Sequence, residues 1–483
     1  MERENDFSQG SIAKNILNLA VPMTLAQLIN VLYSVVDRVY IGHLQGVSAN
    51  ALTGIGLALP IITIITAFAN LFGMGGAPLC SIARGSHEEE KAEKVMGNSC
   101  SMFLFTGGLL MGISLIFRKP LLYLFGASSA TFPYANAYIS IYLCGTVFVM
   151  ISLGMNQFIN SQGFGKIGML TVMLGAFTNI VLDPILIFGL DMGVQGAALA
   201  TVISQGLSAA WVMKFLTGKK AILRLSKRAM HLEWKLVKEI IFLGTSGFVM
   251  SVTNGLVQIV CNATLQRYGG DIYVGIMTVI NSVREIVTMP VTGLTAASQP
   301  VIGYNYGAGC YQRVKSAIRF TAVGCIVFTT VVWAVLFLEP RFFLQMFTKE
   351  PGILQYGVSA MRIYFCGIFM MALQFAGQST AVALNRAKQA VFFFSVSKGH
   401  HCHSVDHAAS NDRKSGDRWS VLGRTDFQCY WRYGMFCNHV AYNLAKAERR
   451  KLLFAVTEKI DNMAKKEIDN QRDTDYNEFI SGV

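Results

Sequence analysis

Two aspartates stand inside apolar runs, Asp37 in LYSVVDRVYIG and Asp183 in NIVLDPILIFG. A carboxylate in hydrocarbon is costly, so acids at such positions are candidates for function by default. Asn179 and Asp183 are four residues apart and share one helix face, and Pro184 loosens the backbone beside them. Thr201, in GAALATVIS, comes from the opposite direction and can reach similar depth. Two carboxylates, an amide oxygen and a hydroxyl at one level suit Na⁺, which takes oxygen ligands, or a proton shared between carboxylates. The competing assignments are an interfacial pairing of Asp37 with Arg38 and a helix-end acid at Asp183.

A second group surrounds these. Tyr33 lies one turn before Asp37 on the same face, where its ring can stack on a substrate. Asn156 and Gln378 are polar interruptions of apolar stretches. Arg284 and Glu285, in INSVREIVTMP, point different ways from one helix, so each either lines a cavity or pairs with another helix. The ten Cys residues contain no CxxC pair and indicate neither disulfides nor a metal centre. Neither a nucleotide-binding loop nor a nucleophile–base constellation is visible. The expectation is a non-enzyme without cofactors, with no visible means of using ATP.

The elements that position these residues follow from composition. Of 483 residues, 53% are hydrophobic and 14% charged. Soluble domains average about 25% charged, so a chain this poor in charge reads as a polytopic membrane protein. The net charge of +13 reflects Lys and Arg gathered in loops rather than nucleic-acid binding. Ten apolar stretches are long enough to cross a bilayer, about 20 residues each. They fall near 16–40, 50–79, 95–117, 134–162, 166–190, 194–217, 237–265, 272–303, 316–338 and 355–385. Basic residues concentrate after the even-numbered spans, which places the N-terminus in the cytoplasm of a cell inner (plasma) membrane protein. A shift of 222 residues lays Pro78 on Pro300, Gly85 on Gly307, Lys91 on Arg313, Asn156 on Gln378 and Lys166 on Lys388. Such a repeat predicts parallel bundles related by an axis along the membrane normal.

The repeat also calls for two further spans after residue 388, yet residues 395–483 are polar. The run His400, His401, Cys402, His403 and His407 invites a zinc reading, but its spacing fits no standard zinc pattern. Back-translated and read one nucleotide later, the segment yields two apolar stretches where the repeat demands them. The expectation is therefore a frameshifted tail and no zinc site.

The stretches LAVPMTLAQLINVLYSVVDRVYIG, NIVLDPILIFG, GAALAT and QPVIGYNYGAG resemble the multidrug and toxic compound extrusion (MATE) family over about residues 12–392. The resemblance includes Pro22, a bend-forming position, and implies twelve helices in two six-helix lobes around a central cavity. It implies export of cationic or amphipathic small molecules in exchange for Na⁺ or H⁺. Asp37, Asn179, Asp183 and Thr201 match the first-lobe acidic site of bacterial and archaeal members, and Tyr33 and Asn156 match cavity positions. With this reading residues 1–222 form the first lobe and 223–394 four helices of the second. The expected partners are drugs or toxins and lipid, with no nucleic acid, and the expected state is a monomer. A lipid or oligosaccharide flippase of the wider superfamily is the alternative, distinguished by a strongly basic cavity. A membrane-embedded enzyme is third.

Overall fold

The computed structural model describes residues 6–42, 48–346, 351–365 and 368–390. The elements in chain order are α1 (Ile12–Gly42), α2 (Ser48–Gly85), α3 (Glu89–Ile116), α4 (Arg118–Leu124), α5 (Phe132–Cys144) and α6 (Thr146–Ser161). They continue with α7 (Gly165–Pro184), a π turn over Ile185–Gly189, α8 (Val194–Thr217), α9 (Trp234–Gly307) and α10 (Tyr311–Leu338). The series ends with α11 (Pro340–Gln345), α12 (Pro351–Phe365) and α13 (Ile368–Ala383). The protein is an all-α polytopic membrane protein. Seven of the described helices are long and apolar enough to cross a membrane, or eight if α5 and α6, bent by 56° at Gly145, count as one span. Ten spans were expected. The stretches at 237–265 and 272–303 both fall in α9, and that at 355–385 covers α12 and α13, between which residues 366–367 lie outside the described residues. The His-Cys run and the rest of the polar tail lie outside the described residues.

The 74-residue α9 is not one straight rod, which would be about 110 Å long. A side chain at Gly75 would strike the carbonyl of Ile240, and one at Gly85 would strike that of Tyr304. Gly75 and Gly85 are about 15 Å apart along α2, so the two ends of α9 pack on one stretch of α2. The element therefore doubles back between them. The contacts have a reciprocal pattern: Gly85 meets the carbonyl of Tyr304, and Gly307 meets the carbonyl of Ile82. Both pairs are related by the 222-residue offset. Ser86 also donates its hydroxyl to the Gly307 carbonyl at 3.1 Å. Without a hydrophobic driving force between helices in lipid, this close backbone approach through glycine supplies the van der Waals contact that holds them.

α1 is wedged between the two halves. It packs on α7 on one side and on α9 on the other, where the Thr292 hydroxyl donates to Gln27 Oε1 at 2.6 Å. The residues before α1 are tied to the ends of α9 and α10. The buried Phe7 accepts at its carbonyl from Asn305 Nδ2 and from Arg313 Nη2, each at 3.0 Å. The same guanidinium reaches the carbonyls of Gln9 and Gly10. Tyr304 donates to Asp6 at 3.1 Å, and Arg84 of α2 lies over the rings of Phe7 and Tyr304 at 5.7 and 5.2 Å. The segment 6–11 thus bridges α2, α9 and α10.

Candidate functional site

Four helices converge on one cavity of about 230 Å³, each through a single face. α1 supplies Gln27, Asn30 and Tyr33; α6 supplies Ser152, Asn156 and Asn160; α7 supplies Gly168, Thr171, Gly175 and Asn179; α8 supplies Thr201, Ser204, Gln205 and Ser208. Spacings of three, four and seven residues are those of one helical face. The glycines of α7 let its neighbours close in: a Cβ at Gly168 would run into Asn160, and one at Gly175 into the Ser208 hydroxyl. Amides and hydroxyls dominate the polar lining, and none of the lining residues is formally charged.

At one end of the cavity the ion-site candidates come together. Pro184 has no N–H to continue the helical ladder, and the chain widens into the π turn before reversing into α8. The reversal is tight, with Gly196 seated against the backbone of Leu186 and Gly193 at φ +53°. The ring of Tyr40, near the end of α1, meets Phe188 of the π turn at 6.3 Å. These contacts bring Thr201 opposite Asn179, whose Nδ2 donates to the threonine oxygen at 3.4 Å. Asn179 is 1% and Asp183 0% exposed. With that bond made, Asn179 Oδ1 and both carboxyl oxygens of Asp183 have no hydrogen-bond partner among the described residues. Asp37 lies within Coulomb range of Asp183, and the buried Tyr138 within range of both. Three buried acceptor atoms without donors, with a second carboxyl close by, form a place for a positive charge. The donor set is all oxygen, which fits Na⁺ or a proton.

The other sequence candidates separate. Tyr33 and Asn156 line the cavity. Gln378 is buried on α13 with its amide lacking a described partner, but it does not line this cavity. Nor do Arg284, which is half-buried on α9, and Glu285, which is exposed there. Sequence reasoning missed Asn160, Ser152 and Gln205. The first two lie four residues either side of Asn156, the same spacing that joined Asn179 to Asp183. Ser152 donates to Gln205, so α6 and α8 are joined at that level.

Comparisons with known proteins bear on the family and the fold. Multidrug export protein MepA of Staphylococcus haemolyticus (strain JCSC1435) is 28% identical over 371 residues, 76% of this chain and 81% of that protein. MepA of Staphylococcus aureus (strain NCTC 8325 / PS 47) is 25% identical over 376 residues, with the same coverage. Among solved structures, MATE in complex with MaD3S superposes with a TM-score of 0.84 at 20% identity, covering 92% of this chain and 100% of that one. An outward-facing multidrug resistance MATE family transporter of the MOP superfamily gives 0.84 at 20%, covering 92% and 99%. At that identity the likeness is one of fold. The MatE family model matches twice, over residues 22–185 and 247–401. These two stretches make up well over half of the chain and hold Tyr33, Asp37, Asn156, Asn179 and Asp183, so the chain belongs to the MatE family.

Proposed function

We propose that this protein is a secondary active exporter of cationic or amphipathic small molecules, driven by inward flow of Na⁺ or H⁺ through the first-lobe acidic site. The observation that carries the reading is the buried Asp183 carboxyl, whose oxygens, like that of Asn179 one turn before it, have no donor among the described residues. A group so placed is stable when a cation or proton occupies it and costly when empty. Occupancy therefore favours whichever arrangement of α1, α7 and α8 closes around it, and an imposed gradient can drive the change. Asp37, Asn179, Asp183 and Thr201 hold the ion. The adjoining cavity, with Tyr33 and Asn156 in its wall, receives the drug; Arg284, Glu285 and Gln378 belong to the second lobe, outside this cavity. The reciprocal Gly85–Gly307 contact supports two lobes, 1–222 and 223–394, related by an axis along the membrane normal. The N-terminus lies in the cytoplasm, the membrane is the inner (plasma) membrane, and the unit is a monomer without cofactors.

A flippase for anionic headgroups would need a basic cavity, and this one has no cationic lining residue. Export is therefore the preferred reading, and the names of the MepA relatives agree with it. The test is ethidium efflux from cells lacking their own pumps, with the Na⁺ and H⁺ gradients collapsed one at a time. Efflux should stop when the coupling gradient is removed. Efflux that persists without either gradient would refute secondary transport.

A further inference from the structure

Residues 217–233, between α8 and α9, form an ordered ribbon rather than a loose loop. Ala221, Leu223 and Leu225 alternate inward at 5%, 1% and 7% exposure, the period of an extended strand. Lys219 and Lys220 before them, Arg224 between them and Lys227 and Arg228 after them are all exposed. Polar side chains of the first lobe clamp the ribbon's backbone. Gln162 Oε1 accepts from the Leu223 N–H at 2.9 Å, and Glu93 Oε1 accepts from that of Arg224 at 2.9 Å. Asn98 Nδ2 donates to the His231 carbonyl at 3.0 Å, and its Oδ1 accepts from the Glu233 N–H at 2.7 Å. The Ser101 hydroxyl donates to the Met230 carbonyl at 2.6 Å.

These anchors fix the ribbon's depth. Glu93 sits in the second turn of α3 and Ser101 two turns further in, about 12 Å along the helix. The Arg224 end is thus at the helix mouth, and the Met230–Trp234 end lies beside the apolar body of α3, where Phe105 is 70% exposed. At that inner end Leu232 and Trp234 are exposed too, at 51% and 68%, with the Lys238 ammonium 5.5 Å from the Trp234 ring. Cations at the outer level and an aromatic–aliphatic pair at the inner one match the layering of a bilayer surface. The acids nearby offset part of the charge: Lys94 alone pairs with both Glu90 and Glu233, at 3.2 and 3.3 Å, and the Glu93 carboxyl lies against the ribbon at Arg224. The five ribbon cations nevertheless outnumber these acids and make no ion pair among the described residues.

We propose that this ribbon is a binding surface for anionic phospholipid headgroups, with Lys219, Lys220, Arg224, Lys227 and Arg228 meeting the phosphates and Leu232 and Trp234 seated at the hydrocarbon boundary. Because the ribbon is held on α3 and α6 and joins α8 to α9, bound lipid grips the joint between the two halves of the chain. The inference rests on the chain spanning a bilayer and not on its transport activity, so the two can fail separately.

The test titrates the purified, delipidated full chain in neutral detergent with phosphatidylglycerol, using phosphatidylcholine as control and native mass spectrometry as readout. Phosphatidylglycerol should bind in preference, and its affinity should fall with added salt. The variant K219Q/K220Q/R224Q/K227Q/R228Q should lose about fivefold for each charge removed and lose the salt dependence. The double variant K227Q/R228Q, which alters only exposed side chains, should lose about twenty-fivefold. Exchanging Lys and Arg at all five positions should preserve binding. Either Gln variant binding phosphatidylglycerol as the wild type does would overturn the proposal, as would equal binding of phosphatidylcholine. Displacement by inorganic phosphate beyond that by chloride at equal ionic strength would identify a free-anion site instead and overturn it too.

Discussion

Asp183 and Asn179 show how much a residue's type reveals and where it stops. An acid inside an apolar run announces itself, because charge there is expensive, and the four-residue spacing adds Asn179. Thr201 is harder to find, since threonine is common in helices and only the tight turn at Gly193–Gly196 brings it across. Ser152 and Asn160 carried that spacing signal toward Asn156, but they and Gln205 were missed because uncharged polar residues are cheap enough in a bundle to pass as packing. The cavity wall depends on glycine as much as on these amides. Gly168→Ala would push its methyl into Asn160 and turn that amide out of the wall. Drug efflux by this variant should show a KM raised several-fold with the maximal rate little changed, at a cost of about 1–3 kcal/mol in stability. An unchanged KM would mean that Asn160 does not face the drug.

At the scale of elements, the spans were legible and their connections were not. Hydropathy separates lipid-facing stretches from loops and gives two stretches, 237–265 and 272–303, where α9 doubles back, but it says nothing of the backbone contacts by which the two ends of α9 pack on α2. The segment before α1 also escaped notice. Its composition is polar, and only the structure shows Arg313 gathering the carbonyls of Phe7, Gln9 and Gly10. Arg313→Ala should free residues 6–11, seen as rapid amide exchange there while the membrane helices stay protected. Retained protection would show that the arginine is dispensable. Acid should act on the same segment. Partial burial pushes the Asp6 carboxyl up, but hydrogen bonds from Ser8, Tyr304 and Gln9 outweigh this and hold it below its ordinary value of 3.8. A depressed carboxyl contributes stability that is complete above that value and lost as pH falls through the folded-state pKa. The segment should therefore loosen only below about pH 4, and Asp6→Asn should abolish that acid dependence.

The whole molecule rests on contacts between its halves. Gly85 and Gly307, legible in sequence only as a repeat match, meet each other's helices with no room for a side chain. Gly307→Val should lower thermal stability by about 3 kcal/mol, and Gly85→Val should do the same. A strong effect from one alone would deny the reciprocity. The repeat also bears on the polar tail, because the second family match ends at residue 401, where the His-Cys run begins. Sequencing the coding DNA should reveal two apolar spans one nucleotide out of frame, and stop codons in that frame would contradict this. The central claim remains the ion site, and drug flux into proteoliposomes under an imposed Na⁺ or H⁺ gradient tests it most directly. Wild-type protein should move ethidium against one of these gradients, while Asp183→Asn and Asp37→Asn, equally folded and inserted, should not; Glu285→Gln should behave as wild type. Gradient-driven flux at the wild-type rate in both Asp variants would contradict the account.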